Sequence, residues 1–204
     1  MRYELKYFVP EKDLLKCQAI VLQHPASFSK EFPDRDINNI YLDSPDLISY
    51  AEGQSGISRR RKFRIRWYGP WDDIQDPVLE IKIKENQLGT KEHQKLTSFQ
   101  ISDLAGVLED LRINHSIPLS FGPSSLNRYR RSYFRSFCGK FRITIDRNLM
   151  FGLAKSDIKR PSIPSGLIVL ELKYEASDDD QADWIRQFIP LQRAKFSKYL
   201  ESFM

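Results

Sequence analysis

The amino-acid sequence predicts an α+β protein built around a large antiparallel sheet or barrel, with a few helices on its outside. Three observations carry this prediction. Segments with apolar–polar alternation dominate the 204 residues, about eight of them, and helical periods are fewer. Breaks containing Gly or Pro separate many of them. The composition, 41% hydrophobic with 13 Phe and 9 Tyr, supplies enough apolar material for one domain spanning residues 1–204 and excludes wholesale disorder.

Residues 2–8 alternate as a strand that stops at Pro10. From Glu11 to His24, Leu14, Leu15, Ala19 and Leu22 suit an amphipathic helix opened by that proline. A strand follows at Asp36–Asp43, then a short helix after Ser44-Pro45, then a strand at Arg59–Tyr68 ended by Gly69-Pro70. Val78–Glu85 and Thr90–Thr97 pair as a hairpin around Asn86-Gln87-Leu88-Gly89. Ser102–Leu111 reads as a helix. Strands at Ser124–Phe137 and Phe141–Asn148 meet at Cys138-Gly139-Lys140. Residues 149–166 hold two prolines and no period, which predicts a loop. Gly166–Tyr174 is a further strand. Ser177 then caps a helix whose first turn carries three aspartates, and a last helical turn or two covers Arg193–Phe203.

No run of about 18 apolar residues is present, which excludes a transmembrane helix, and the start Met1-Arg2-Tyr3-Glu4-Leu5-Lys6 has no apolar leader region. Two cysteines, Cys17 and Cys138, support neither a disulfide framework nor a metal cage; Cys17 suits a small core position in its helix. The expected location is cytoplasmic. No P-loop or Rossmann fingerprint is found, and His93, spaced two residues from Lys91 and Lys95, reads as a surface histidine.

The net charge of +5 is modest, but its distribution is not: six basic residues crowd positions 59–66, and six more lie between Arg128 and Arg142. Residues i and i+2 of a strand share a face. Tyr3, Leu5 and Tyr7 therefore oppose Arg2, Glu4 and Lys6, and Phe63, Ile65 and Trp67 oppose Lys62, Arg64 and Arg66. Leu79, Ile81 and Ile83 oppose Glu80, Lys82 and Lys84; Phe141, Ile143 and Ile145 oppose Arg142, Thr144 and Asp146; Leu170, Leu172 and Tyr174 oppose Glu171 and Lys173.

A half-solvated sheet with its charged side in water explains any one of these strands. It explains five together less well, because like charges on neighbouring strands repel. Glu-x-Lys recurs as Glu4-Leu5-Lys6, Glu80-Ile81-Lys82 and Glu171-Leu172-Lys173, which sets an acid and a base about 7 Å apart on one face. Concentrated cation implies an anionic ligand, and the embedded carboxylates imply a divalent metal travelling with it. A polyphosphate-like ligand suits both.

The segments Arg2-Tyr3-Glu4-Leu5-Lys6-Tyr7, Ile40-Tyr41-Leu42-Asp43-Ser44-Pro45-Asp46, Arg60-Arg61-Lys62-Phe63-Arg64-Ile65-Arg66, Leu79-Glu80-Ile81-Lys82, Tyr129-Arg130-Arg131, Arg142-Ile143-Thr144-Ile145-Asp146, Leu170-Glu171-Leu172-Lys173-Tyr174 and Lys195-Phe196-Ser197-Lys198-Tyr199 follow one another in order. Together they resemble the VTC (vacuolar transporter chaperone) polyphosphate polymerase domain, of the triphosphate tunnel metalloenzyme or CYTH-like superfamily, over essentially the whole chain. The resemblance implies an eight-stranded antiparallel β-barrel forming a triphosphate tunnel, with Mn²⁺ or Mg²⁺ on an acidic residue. It implies transfer of the terminal phosphoryl group of ATP onto a polyphosphate chain, whereas other branches hydrolyse triphosphates or cyclise ATP. By matching position, Lys6, Arg64, Arg66, Lys82, Arg131, Arg142 and Lys198 become the phosphate ligands that carry catalysis. Lys195 and Ser197 would close the tunnel mouth and, with Lys62, Lys84 and Lys173, contact substrate. Glu171 matches the metal-binding glutamate, with Glu4 beside it in the set.

One position departs from the superfamily pattern. Its opening Glu-x-Glu-x-Lys reads Arg2-Tyr3-Glu4-Leu5-Lys6 here, so arginine replaces the first glutamate. That removes a metal ligand and a water-activating base, and weighs against hydrolysis and cyclisation more than against polymerisation. The expected partners are ATP and polyphosphate or triphosphate, with a membrane partner for the polymer and the oligomeric state left open. An inorganic triphosphatase and a non-catalytic polyphosphate or inositol-phosphate binder are the alternatives. A nucleic-acid module is disfavoured, because Phe63 and Trp67 face away from the cations on which a single strand would lie. The resulting expectation is that Lys6, Arg64, Arg66, Lys82, Arg142 and Glu171 line one enclosed cavity, with Leu5, Phe63, Ile65, Ile81, Ile143 and Leu172 packed outward.

Overall fold

The alternating segments form strands in a computed structural model, which describes residues 2–85, 88–154 and 158–203. The order is β1 (Arg2–Pro10), a 3₁₀ turn (Glu11–Asp13), α1 (Leu14–Leu22), β2 (Ser29–Asp43), α2 (Ile48–Gln54), β3 (Arg59–Tyr68), β4 (Val78–Glu85) and β5 (Leu88–Lys95). A second 3₁₀ turn (Ile101–Asp103), α3 (Leu104–Ile113), β6 (Gly122–Arg135), β7 (Arg142–Leu153), β8 (Ile163–Pro164) and β9 (Leu167–Glu175) follow. A 3₁₀ turn (Ala176–Asp178), α4 (Asp179–Gln187) and α5 (Lys198–Glu201) complete the chain.

The strands join in one sheet in the order β1-β9-β7-β6-β2-β3-β4-β5, with the two-residue β8 on β7. The α+β class is as expected. Closure is not: among the described residues no pairing joins β1 to β5, so the sheet is open where an eight-stranded closed barrel was expected. Closure depends on hydrogen bonds between strands distant in sequence, which alternation within a strand does not encode.

Two compact units divide the chain. The first holds residues 1–35, 129–149 and 164–196, and the second holds 36–128, 150–163 and 197–204. Each has its own core. Leu5, Tyr7, Ile143, Ile145, Leu170 and Leu172 meet Cys17 and Val21 of α1 and Ala182 and Ile185 of α4 in the first. In the second, Ile40, Leu42, Phe63, Ile65, Trp67 and Leu79 meet Leu104, Leu108 and Leu111 of α3, with Ile81 packed alongside. The core faces are thus the ones that alternation assigns, each fully buried Leu or Ile contributing about 1.5–3 kcal/mol.

The helices depart further from expectation. The first is a 3₁₀ turn followed by a shorter helix, and its buried residues are Cys17 and Val21, while Leu15 and Leu22 are exposed. The N-cap position of α4 is Asp178, in place of the expected Ser177, with Asp179 and Asp180 in the first turn. The span read as a loop continues β7 to Leu153 and adds β8. β2 begins at Ser29, seven residues before Asp36, in spite of Pro33. That proline precedes the stretch Ile37–Leu42 registered with β3, where its missing N–H costs that ladder nothing. β3 and β4 have the expected bounds, β5 runs Leu88–Lys95 where Thr90–Thr97 was expected, and Asn86-Gln87 between β4 and β5 lie outside the described residues. Gly139, at φ 75°, makes the turn between β6 and β7 in a conformation that favours glycine. Among the described residues no helix is long and apolar enough to cross a membrane.

Candidate functional site

Part of the charged side is buried. Arg66, Glu80, Arg131, Asp146, Glu171 and Lys198 are all buried, at 9% exposure or less. Charges are buried at this cost only when paired or committed to a ligand.

In the first unit the register puts Glu171 of β9 opposite Lys6 of β1 on one side and Thr144 of β7 on the other. One Glu171 oxygen lies 3.6 Å from Lys6 Nζ, and the other lies 2.6 Å from Lys173 Nζ and 3.6 Å from Arg131 Nη2. Lys6 Nζ also meets Glu4 at 3.0 Å and donates to the Phe196 carbonyl at 3.1 Å. Arg131 forks onto Asp146, with Nη2 donating at 2.7 Å. Burial alone would pull the Arg131 pKa down, but Asp146, Tyr129 and Glu171 hold it well above the usual value.

A divalent metal fits this cluster in one way. Among the described residues no three carboxylate, His or Cys side chains form a cage. Two hard carboxylates, Glu4 and Glu171, do share the Lys6 ammonium, and the buried Thr144 hydroxyl, registered opposite Glu171, has no hydrogen-bond partner among the described residues. Such a donor set suits an ion that keeps its remaining positions for water and phosphate oxygens, as Mg²⁺ does.

In the second unit, β2, β3 and β4 present Tyr41, Arg64 and Glu80 in register, and β3, β4 and β5 present Lys62, Lys82 and Lys91 in register. Glu80 accepts from Arg64 Nε at 2.8 Å, from Arg64 Nη2, and from Arg66 Nη1 at 3.3 Å. Burial would raise its pKa, but Arg64, Arg66 and Lys91 hold the carboxyl far below the usual range. Arg66 Nε is fixed by Asn39 at 2.8 Å, and Asn39 in turn donates to Asn127 at 2.8 Å. Arg64 Nη1 donates to the Tyr41 hydroxyl at 3.1 Å. Burial opposes ionisation of Tyr41, yet Arg64, Arg66 and Lys198 pull its pKa down to about 8. Lys62 Nζ donates to Ser197 Oγ at 3.0 Å and lies 5.3 Å from the centre of the Tyr199 ring.

The expected residues therefore fall into two groups. Lys6, Arg131, Lys173, Glu4 and Glu171 meet in the first unit, and Lys62, Arg64, Arg66, Lys82, Lys198 and Ser197 belong to the second, with Lys84 on the same face of β4 as Lys82. Arg142 is placed elsewhere in the first unit: its side chain is 45% exposed and pairs with Glu31 at 3.5 Å. Lys195 is exposed. The sequence reading missed Asp146 as the partner of Arg131 and Glu80 as the shared anchor of two arginines. Asn39, Tyr41, Asp43 and Tyr199 were missed as supports. Of these, Asn39, Tyr41 and Asp43 carry an available signal, since they alternate on one face of β2.

The family model of the VTC domain matches residues 1–204. The chain belongs to the VTC domain family. Solved structures of similar fold include a putative adenylate cyclase from Vibrio parahaemolyticus, with a TM-score of 0.58 and 16% identity, covering 99% of this chain and 97% of that one. A putative adenylyl cyclase from Hippeastrum with a dominant triphosphatase activity gives 0.57 and 13%, covering 100% and 95%. A putative adenylate cyclase from Bacillus halodurans gives 0.56 and 15%, covering 100% and 99%. At such identities these neighbours show a shared fold and nothing finer. No curated protein matches the chain.

Proposed function

We propose that this VTC domain is a metal-dependent polyphosphate polymerase that transfers the terminal phosphoryl group of ATP to a polyphosphate chain in the cytoplasm. The observation that carries the reading is the row Lys62, Lys82 and Lys91 across three adjacent strands, beside the Arg64–Glu80–Arg66 clamp. Like charges on adjacent strands repel, and a polyanion bound along the row would relieve that repulsion. Arg64 and Arg66, aligned on Glu80, would bind phosphate oxygens, and the lysines would neutralise charge as it develops. A phosphate terminus is an ionised acceptor, so the transfer needs alignment and neutralisation and no general base. A divalent ion held by Glu171 and Glu4 would supply further charge neutralisation. Phe63 and Trp67 lie in the core, which removes them as stacking platforms for nucleic-acid bases.

Triphosphate hydrolysis is the second reading, supported by the fold shared with the Hippeastrum triphosphatase. It requires a positioned water, and the Arg2 side chain stands where the superfamily pattern has a carboxylate. Incubation with ATP and Mn²⁺, followed by a polyphosphate-stained gel and a phosphate-release assay, separates the two. Polymer is the expected product, and it should be lost in Glu171→Gln while nucleotide still binds. Free phosphate without polymer would replace the first reading by the second. Tight triphosphate binding without either product would leave a silent binder.

A further inference from the structure

Asp43 ends the polar face of β2, two residues beyond Tyr41, and is 2% exposed. Four donors fill its carboxylate. Oδ1 accepts from the backbone N–H groups of Ser44 at 2.8 Å and Ser49 at 2.9 Å, and Oδ2 accepts from Tyr50 N–H at 3.0 Å and from the Tyr199 hydroxyl. No lone pair is left for a metal or a proton in transit, so its role is mechanical. Two elements are joined by it, the first turn of α2 and the C-terminal segment that carries Ser197, Lys198 and Tyr199. The Tyr199 ring is 1% exposed and stacks on Tyr41 with centroids 4.9 Å apart and planes 28° from parallel. Ser124 Oγ sits at 3.4 Å from the Tyr199 hydroxyl and 3.1 Å from the Tyr41 carbonyl. Burial and the Asp43 hydrogen bond keep the Tyr199 phenol protonated at any working pH. Lys198, the neighbour of Tyr199, is itself buried and acts electrostatically on Tyr41.

We infer that Asp43 is a positioning residue: through Tyr199 it latches the C-terminal segment so that Ser197 holds Lys62, and Lys198 is held beside Tyr41, as parts of the triphosphate-binding cluster. The inference deepens the proposed function and rests on its phosphate reading. An ordinary helix cap would account for the Ser49 and Tyr50 contacts. It would not account for the fourth acceptor position being given to a tyrosine from the far end of the chain, whose neighbour in sequence is a buried cation.

The test is a double-mutant cycle on tripolyphosphate affinity, by calorimetry, with Tyr199→Phe, Lys198→Met and both together. Tyr199→Phe keeps the stacked ring and removes the latch, and each single change should weaken binding about five- to tenfold, as loss of a charge-assisted contact does. If Tyr199 acts through Lys198, the double variant binds no worse than the weaker single one. A ligand-free readout accompanies it. The phenolate absorbance of Tyr41, which titrates near pH 8, should move upward in Tyr199→Phe and in Lys198→Met alike. Additive losses in the cycle, or a Tyr41 titration that Tyr199→Phe leaves in place, overturn the latch. If Tyr199→Phe does not fold, Asp43→Asn, which keeps one acceptor oxygen for the Ser44 and Ser49 N–H groups and gives up the one shared by Tyr50 and Tyr199, takes its place under the same criteria. A wild-type chain that binds no tripolyphosphate while its tyrosine titration moves as expected overturns the phosphate reading and leaves the latch standing.

Discussion

In the first unit Glu4, Asp146 and Glu171 stand against Lys6, Arg131 and Lys173, and the distances join them into ion pairs. In the second, Glu80 binds two arginines while Lys62, Lys82 and Lys91 lie side by side across three strands. Both clusters grow from the same strand pattern, apolar residues to the core and charged ones opposite. They differ in register: the first sets acid opposite base, and the second also sets lysine opposite lysine. Stability by itself favours acid opposite base, since losing one partner of a buried pair is costly. The row of lysines is the arrangement along which a polyanion would bind.

That contrast predicts different responses to the loss of charge. Asp146→Ala should have the largest effect, because it leaves the Arg131 guanidinium buried without its fork partner: about 3 kcal/mol of stability lost in urea unfolding. In the second unit, Lys62→Met or Lys82→Met should weaken tripolyphosphate binding roughly tenfold. Lys62→Met also gives up the hydrogen bond to Ser197 and the place over the Tyr199 ring, so it should lower ligand-free stability by about 1 kcal/mol. Lys173→Met should cost more, because it takes the nearest cation from the buried Glu171. Equal losses for the lysines of the two units would break the comparison.

The smallest effect expected is one of pH. Tyr41 ionises at about 8 in the folded protein and at 10.0 ordinarily, so it favours folding above that ordinary value, and the benefit is lost as pH falls through about 8. Binding runs the other way. The phenolate competes with phosphate for Arg64 and Arg66, so triphosphate affinity should fall as pH rises through about 8, while Glu80 stays ionised and Tyr199 stays protonated. Tyr41→Phe should flatten that part of the profile, measured by calorimetry across the window.

How far the sequence carried this picture differs between strands and partners. The faces of β1, β3, β4, β7 and β9 were legible because a period of two is local. The partners were not. Glu80 looked like one more Glu-x-Lys acid, and only the register of β3 against β4 sets it opposite Arg64. Arg142 sits on the polar face that alternation assigns, but its neighbour Glu31 belongs to the part of β2 that precedes Asp36, where the expected strand began. In α1 four apolar residues suggested a face, yet the core took Cys17 and Val21 and left Leu15 in solvent. Helical propensity and pattern yielded there to packing.

The melting temperature with and without tripolyphosphate, at low and at high salt, tests the central claim most directly. A polyanion that binds the folded cation row and not the unfolded chain should raise the melting temperature at low salt, and the rise should shrink as salt screens the attraction. Lys62→Met and Lys82→Met should gain less from tripolyphosphate than the wild type does. A wild-type melting temperature indifferent to tripolyphosphate at low salt would contradict the account, leaving the row of lysines without the ligand that explains it.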